Sequence, residues 1–388
     1  MSGFVIPSSI KAFLLLIKDN GFQSYLVGGC VRDGLLGLQP HDWDVCTDAQ
    51  PQKIQTLFPD AMTYGVRHGT VTVKWQGLLI EVTTFRAEDG YSDHRRPDHV
   101  RYIKDLRSDL ARRDFTVNAI AMDAEGVLCD PVGGTADLKA GWIRAVGSPE
   151  ARFQEDALRM LRAVRFSAQL HFSIEPKTEA AILSCAPLTA ALSAERVAQE
   201  LEKTLLTSNP NRVSEMITAG LLTPWITESV TESCDKLKKL KPNRVHRWCG
   251  LSLVLHSADY LTRLRLDRKT TEICSACIEL HKQKNRDERF WKYAVHQYGK
   301  ETALISSEVL SSWDASDDEQ ILRAVLDSGV CCTFSELAIK GSDVKALGFH
   351  GKEIGAALEK ALHHVWAFPE HNEHEFLLRY LREEDHHG

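Results

Sequence analysis

No apolar run in this chain is long enough to cross a membrane: the stretch from Phe13 to Ile17 is broken at once by Lys18 and Asp19, far short of the roughly 20 residues a spanning helix needs. The N-terminal Met-Ser-Gly-Phe-Val-Ile-Pro-Ser-Ser lacks a basic region, so no export signal is expected. An excess of basic charge is also missing. With a net charge of −6, coating nucleic acid through bulk charge is excluded, although local fields are not. The ten cysteines follow no regular framework, and the adjacent pair Cys331-Cys332 is too local to staple a fold; reduced thiols and a cytoplasmic location are expected. There is no fixed-period repeat and no low-complexity tract.

What remains is an ordinary composition, 43% apolar and 26% charged over 388 residues, enough for two or more cores. Strand-like segments dominate the first part: Ser24 to Val27, Asp44 to Cys46, Gly69 to Trp75 and Leu78 to Thr84, with Gln76-Gly77 reading as a hairpin turn. From about Pro149 onward helical periodicity takes over. Breaks between helices are predicted at Ser208-Asn209-Pro210 and Lys241-Pro242-Asn243, and a loop from Asp314 to Glu319. The fold class is therefore α+β, a small mixed sheet followed by a long helical remainder.

Asp42 and Asp44 stand two apart, so on a strand both carboxylates face one way. Such a pair is a platform for magnesium, which takes oxygen ligands and shares its shell with phosphates; an Asp-x-Asp is also common in surface turns. Gly28-Gly29 follows a strand and opens a predicted helix holding Val31, Arg32, Leu35 and Leu36, where backbone can approach a phosphate closely and Arg32 can add charge. The run lacks GxxxxGK[ST], so it is not a P-loop. Glu81 either faces the two aspartates across the sheet or is a strand-edge glutamate in water. His41, His68, His94 and His99 lack metal-ligand spacing, and His363-His364 and His386-His387 read as surface residues.

Two basic runs, Lys236 to Arg247 and Arg263 to Arg289, could track a phosphate backbone or form a solvated face laced with ion pairs.

In order, Gly28-Gly29-Cys30-Val31-Arg32-Asp33, Asp42-Trp43-Asp44, Arg112-Arg113-Asp114-Phe115-Thr116-Val117-Asn118-Ala119, Glu155-Asp156-Ala157-Leu158-Arg159, Glu195-Arg196 and Leu337 to Asp343 resemble the motifs of class II tRNA nucleotidyltransferases, over nearly the whole chain. The resemblance implies addition and repair of the tRNA 3′-terminal CCA from CTP and ATP, with two Mg2+ ions as cofactor. It further implies a polymerase-β-like catalytic head at 1–145, a nucleotide-selecting helical neck at 146–208, and a helical body at 209–305 and tail at 306–388 that bind the acceptor arm and elbow of tRNA. Gly29, Arg32, Arg113, Asp156, Arg159, Arg162 and Arg165 become the expected nucleotide-binding residues, and Asp42, Asp44 and Glu81 the catalytic carboxylates. Asp114 and Asn118 are expected to hold the sugar or neighbouring loops, and Arg112 to pair with Asp109.

Base choice has a chemical rationale. Cytosine and adenine each present an amino donor beside a ring-nitrogen acceptor, which a carboxylate (Asp156) and a guanidinium (Arg159) satisfy; guanine and uracil present the inverse order. The two residues are predicted on one helix, three apart and so neighbours, with a Glu155–Arg159 ion pair as the competing arrangement. On such a helix Arg165 points well away from Asp156, although the resemblance puts it at the nucleotide. The segment between Arg86 and Val100 is turn-rich and reads as a loop; the resemblance implies that it is the loop that helps the switch from C to A addition. CC-only or A-only addition, a poly(A) polymerase, or a non-catalytic RNA-binding protein are the alternatives, and oligomeric state, a homodimer included, is left open.

Overall fold

The structure, a computed structural model, describes residues 4–62, 69–89 and 99–385. It divides into two compact units, Met1–Ile226 and Thr227–Gly388. In chain order the first holds α1 (Ser8–Asp19), β1 (Ser24–Val27), α2 (Gly29–Leu35), β2 (Trp43–Thr47), α3 (Pro51–Leu57), β3 (Thr70–Trp75), β4 (Leu78–Thr84), β5 (Arg86–Asp89), β6 (His99–Tyr102), α4 (Leu106–Ala111), β7 (Ala121–Met122), β8 (Leu128–Cys129), α5 (Gly134–Ala140), β9 (Trp142–Ile143), α6 (Pro149–Glu155), α7 (Leu158–Leu170), β10 (Ser173–Ile174), α8 (Pro176–Cys185), α9 (Ala194–Leu205) and α10 (Val213–Thr218).

The main sheet runs β3-β4-β2-β1-β7-β8. Only β2 and β4 pair in parallel; the other neighbours are antiparallel. Alternation along β4 turns Ile80, Val82 and Thr84 inward and leaves Leu79 and Glu81 on the opposite face. The β3–β4 turn has positive φ at both Gln76 (47°) and Gly77 (84°), the backbone that suits the twist of a two-residue hairpin. On α1 the apolar positions Ile10, Phe13, Leu14 and Ile17 follow a 3.6-residue period and are fully buried, with Phe13 stacked on Phe58 and edge-on to Trp75.

Beyond Pro149 the described residues of this unit keep one short strand, β10, which pairs in parallel with β9. The boundary between compact units falls at Ile226, later than the strand-to-helix change. Residues 90–98, which make up most of the expected switching loop, and likewise His68, His94, His386 and His387, lie outside the described residues.

The second unit is helical: α11 (Arg244–Leu255), α12 (Asp259–Arg263), α13 (Arg268–His281), α14 (Glu288–Tyr298), α15 (Lys300–Asp314), α16 (Asp318–Asp327), α17 (Gly341–Ala346), α18 (Lys352–Ala367) and α19 (His374–Asp385). Trp248, Trp291 and Trp313 are fully buried in it. The break at Lys241-Pro242-Asn243 is a helix start, since the Asn243 side chain caps α11 by accepting from the His246 N–H at 3.0 Å. Asp314 to Glu319 holds the end of α15, a three-residue connection and the start of α16.

All ten cysteines are free thiols. Contrary to the expectation of cysteines scattered without CxxC pairs, Cys274 and Cys277 form one; they sit one turn apart on α13 and face Cys249, whose Sγ lies 3.6 Å from Cys274 Sγ, outside bonding distance. His363 and His364 are half-buried rather than fully exposed: His363 packs on Trp366 and His364 stacks on Tyr380. No helix among the described residues is long and apolar enough to cross a membrane.

Candidate active site

The parallel β2–β4 register sets Asp44 beside Glu81, and the β3–β4 register sets Glu81 beside Thr72. Three strands thus put Thr72, Glu81 and Asp44 in one row on one face. Asp42, just before β2, adds a third carboxylate two residues from Asp44, while Trp43 between them is buried. All five residues line a cavity of about 640 Å³. Its other walls include Gly28, Gly29, Arg32, Arg113, Asp114, Asn118, Arg162, Arg165, Phe166, Gln169 and Lys203.

Gly28 precedes α2 with φ 75°, a conformation open to glycine and strained for other residues. A Cβ there would stand 3.6 Å from both an Arg113 guanidinium nitrogen and an Asp44 oxygen, and one at Gly29 would stand 3.7 Å from Arg32. The Gly-Gly turn therefore lies beside two arginines and a carboxylate. Burial, and after it the negative charge of Glu81, push the Asp44 carboxyl up to about 6 against the pull of Arg113. That crowded, all-oxygen donor set fits a hard divalent cation. Among the described residues no three His, Cys, Asp or Glu side chains are gathered as a complete ligand set, so two protein carboxylates, with phosphate and water oxygens, are what the residues offer.

Arg113 bonds Asp109 through one terminal nitrogen at 3.2 Å, while its Nε is buried without a hydrogen-bond partner. Arg112 bonds the same fully buried carboxylate at 2.7 Å, as expected. Asp114 and Asn118 hold neighbouring elements together. Arg32 donates to Asn118 Oδ1 at 2.7 Å, Asn118 donates to Asp114 at 3.3 Å, and Arg162 on α7 donates to Asp114 at 2.6 and 2.9 Å. Burial opposes ionisation of Asp114, but the Arg162 guanidinium outweighs it and lowers the carboxyl to about 2.

The expected single helix through Asp156 and Arg159 is broken. Asp156 has extended backbone (φ −144°, ψ 103°) between α6 and α7, accepts from the Leu158 N–H at 3.1 Å, and is gripped by Arg196 of α9 at 2.9 Å. Arg159 pairs instead with Glu155 and donates to the Arg152 carbonyl at 3.0 Å. Neither residue lines the cavity. Arg165 does line the cavity, apart from Asp156, and donates to Glu200 at 2.6 Å. Sequence reasoning missed Glu200, a buried carboxylate 4.0 Å from Arg162 and Lys203 as well. Its signal was there: on α9 it falls in the stripe of Val197, Leu201 and Thr204, where an acid needs a cation.

The chain matches the Poly A polymerase head domain over residues 24–144 and the probable RNA and SrmB-binding site of polymerase A over residues 171–229. A CCA-adding enzyme of Geobacillus sp. (strain WCH70) is 36% identical, with 90% of each chain covered. One from Enterococcus faecalis is 34% identical over 98% of this chain and 97% of its own. The chain belongs to the CCA-adding enzyme family. It is thus a tRNA nucleotidyltransferase. The crystal structure of the Bacillus stearothermophilus CCA-adding enzyme in complex with CTP superposes with a TM-score of 0.83, 32% identity and 98% coverage of both chains. As in other family members, the head is the polymerase-β-like part, and the remainder is mostly helical.

Most of the basic side chains in the two basic runs are already paired. Lys236, Lys238, Lys241, Arg244, Arg263, Arg268, Lys269, Lys282 and Arg286 each contact a carboxylate. Arg247 is buried, donating to the Leu237 and Lys241 carbonyls.

Proposed function

We propose that this enzyme adds and repairs the 3′-terminal CCA of tRNA from CTP and ATP, releasing pyrophosphate. The observation that carries the reading is the single cavity in which the Gly28-Gly29 turn, Arg32, Arg113 and the Asp42/Asp44 pair converge. The turn and the two arginines hold the triphosphate. Asp42 and Asp44 would hold two Mg2+ ions, which when bound supply Lewis-acid stabilisation of charge at the reacting phosphate. Glu81 adds its negative charge to the same face. Asp156 and Arg159 choose the base, exchanging Arg196 and Glu155 for the amino group and ring nitrogen of C or A. Residues 1–145 act as head, 146–208 as neck, and 209–305 and 306–388 as body and tail on the acceptor arm and elbow.

The test is single-turnover CTP incorporation into tRNA lacking CCA. Asp42→Ala and Asp44→Ala are each expected to lose at least about 1000-fold, the scale of removing a metal site, with unchanged melting temperature. Wild-type rates in both variants would overturn the reading.

A further inference from the structure

Phe166 of α7 is 6% exposed and lines the cavity. Three guanidinium groups converge on its ring: Arg165 at 4.0 Å from the centroid, Arg32 at 5.2 Å and Arg162 at 5.3 Å. Its ring also packs edge-on against the fully buried Phe115, with centroids 5.8 Å apart and planes at 78°. Two of the cations come from α7 and one from α2. Three positive groups at such range repel one another unless something between them is negative. Asp33 pairs with Arg32, Asp114 with Arg162, and Glu200 with Arg165 and, at 4.0 Å, with Arg162; the ring is the one partner all three arginines share. The π-face of an aromatic ring attracts cations within about 6 Å.

We propose that Phe166 is a positioning residue for anion binding: its ring holds Arg32, Arg162 and Arg165 together as a preformed clamp for the triphosphate common to both nucleotides. The proposal rests on the reading of the cavity as the nucleotide site. Because the clamp acts on phosphates, it serves CTP and ATP alike and leaves base choice to other residues.

The probe is inorganic tripolyphosphate, which has no base, titrated into the full-length enzyme by calorimetry. Phe166→Leu keeps an apolar side chain against Phe115 but removes the ring; it is expected to weaken tripolyphosphate binding roughly tenfold, the scale of losing several partly desolvated cation–π contacts. Michaelis constants for CTP and ATP rise by the same factor while kcat changes less than about twofold. Phe166→Tyr, which keeps the π-face, restores wild-type binding. Equal binding by wild type and Phe166→Leu overturns the proposal, as does a Phe166→Tyr variant as weak as Phe166→Leu, since side-chain shape rather than the ring would then be at work. A wild-type enzyme that adds CCA but does not bind tripolyphosphate overturns the clamp while leaving the proposed function standing.

Discussion

Asp114 shows how one side chain ties two parts of the site together. It takes both donors of Arg162 and one from Asn118, which in turn holds Arg32. Its carboxyl lies near 2 against an ordinary value of about 3.9. The folded-state value is depressed, so the ion pair stabilises the fold fully above pH ~4, and that contribution is lost as pH falls through about 2. Asp114→Asn is expected to cost about 2 kcal/mol at pH 7, with the gap to wild type closing between pH 4 and pH 2. Urea denaturation at several pH values checks this; a gap that does not depend on pH would contradict the ion-pair account. The Asp-x-Asp pair and the Gly-Gly turn were legible at this scale because local spacing alone aims them. Phe166 was not, because the arginine that completes its cluster, Arg32, arrives from α2; Glu200 showed only as an acid in an apolar stripe, its partner Arg165 coming from α7.

Between elements, backbones approach closely at Gly134, the first residue of α5. A Cβ there would lie 2.1 Å from the Thr116 carbonyl oxygen and 2.8 Å from Ile120, so the backbone of residues 116–118 would have to move. That segment carries Asn118, the link between Arg32 and Asp114. Gly134→Ala is expected to destabilise the protein by about 2–3 kcal/mol, the range for overpacking, and to raise the Michaelis constants for both nucleotides. Thermal melting together with steady-state kinetics checks it; an unchanged melting temperature would contradict the packing argument. The strands were readable from alternation, and Leu78 to Thr84 matches β4 residue for residue. The break between α6 and α7 was not. No glycine or proline marks it, and the carboxylate at the break is gripped by Arg196, which lies 40 residues further along the chain on α9.

For the whole molecule, the change from sheet to helix was plain in the periodicity, whereas the division at Ile226 was not, because α6 to α10 pack with the head as one compact unit. The basic runs read from sequence as a phosphate track are largely neutralised within the fold, a pairing that depends on acids far along the chain such as Glu308 and Asp318. The product is identified most directly by resolving extension products on a sequencing gel after incubating tRNA lacking CCA with each nucleotide alone and in combination. CTP alone is expected to give two added residues, CTP with ATP three, and GTP or UTP none. A long adenosine tail, a product that stops at two with both nucleotides present, or extension by GTP would contradict the account.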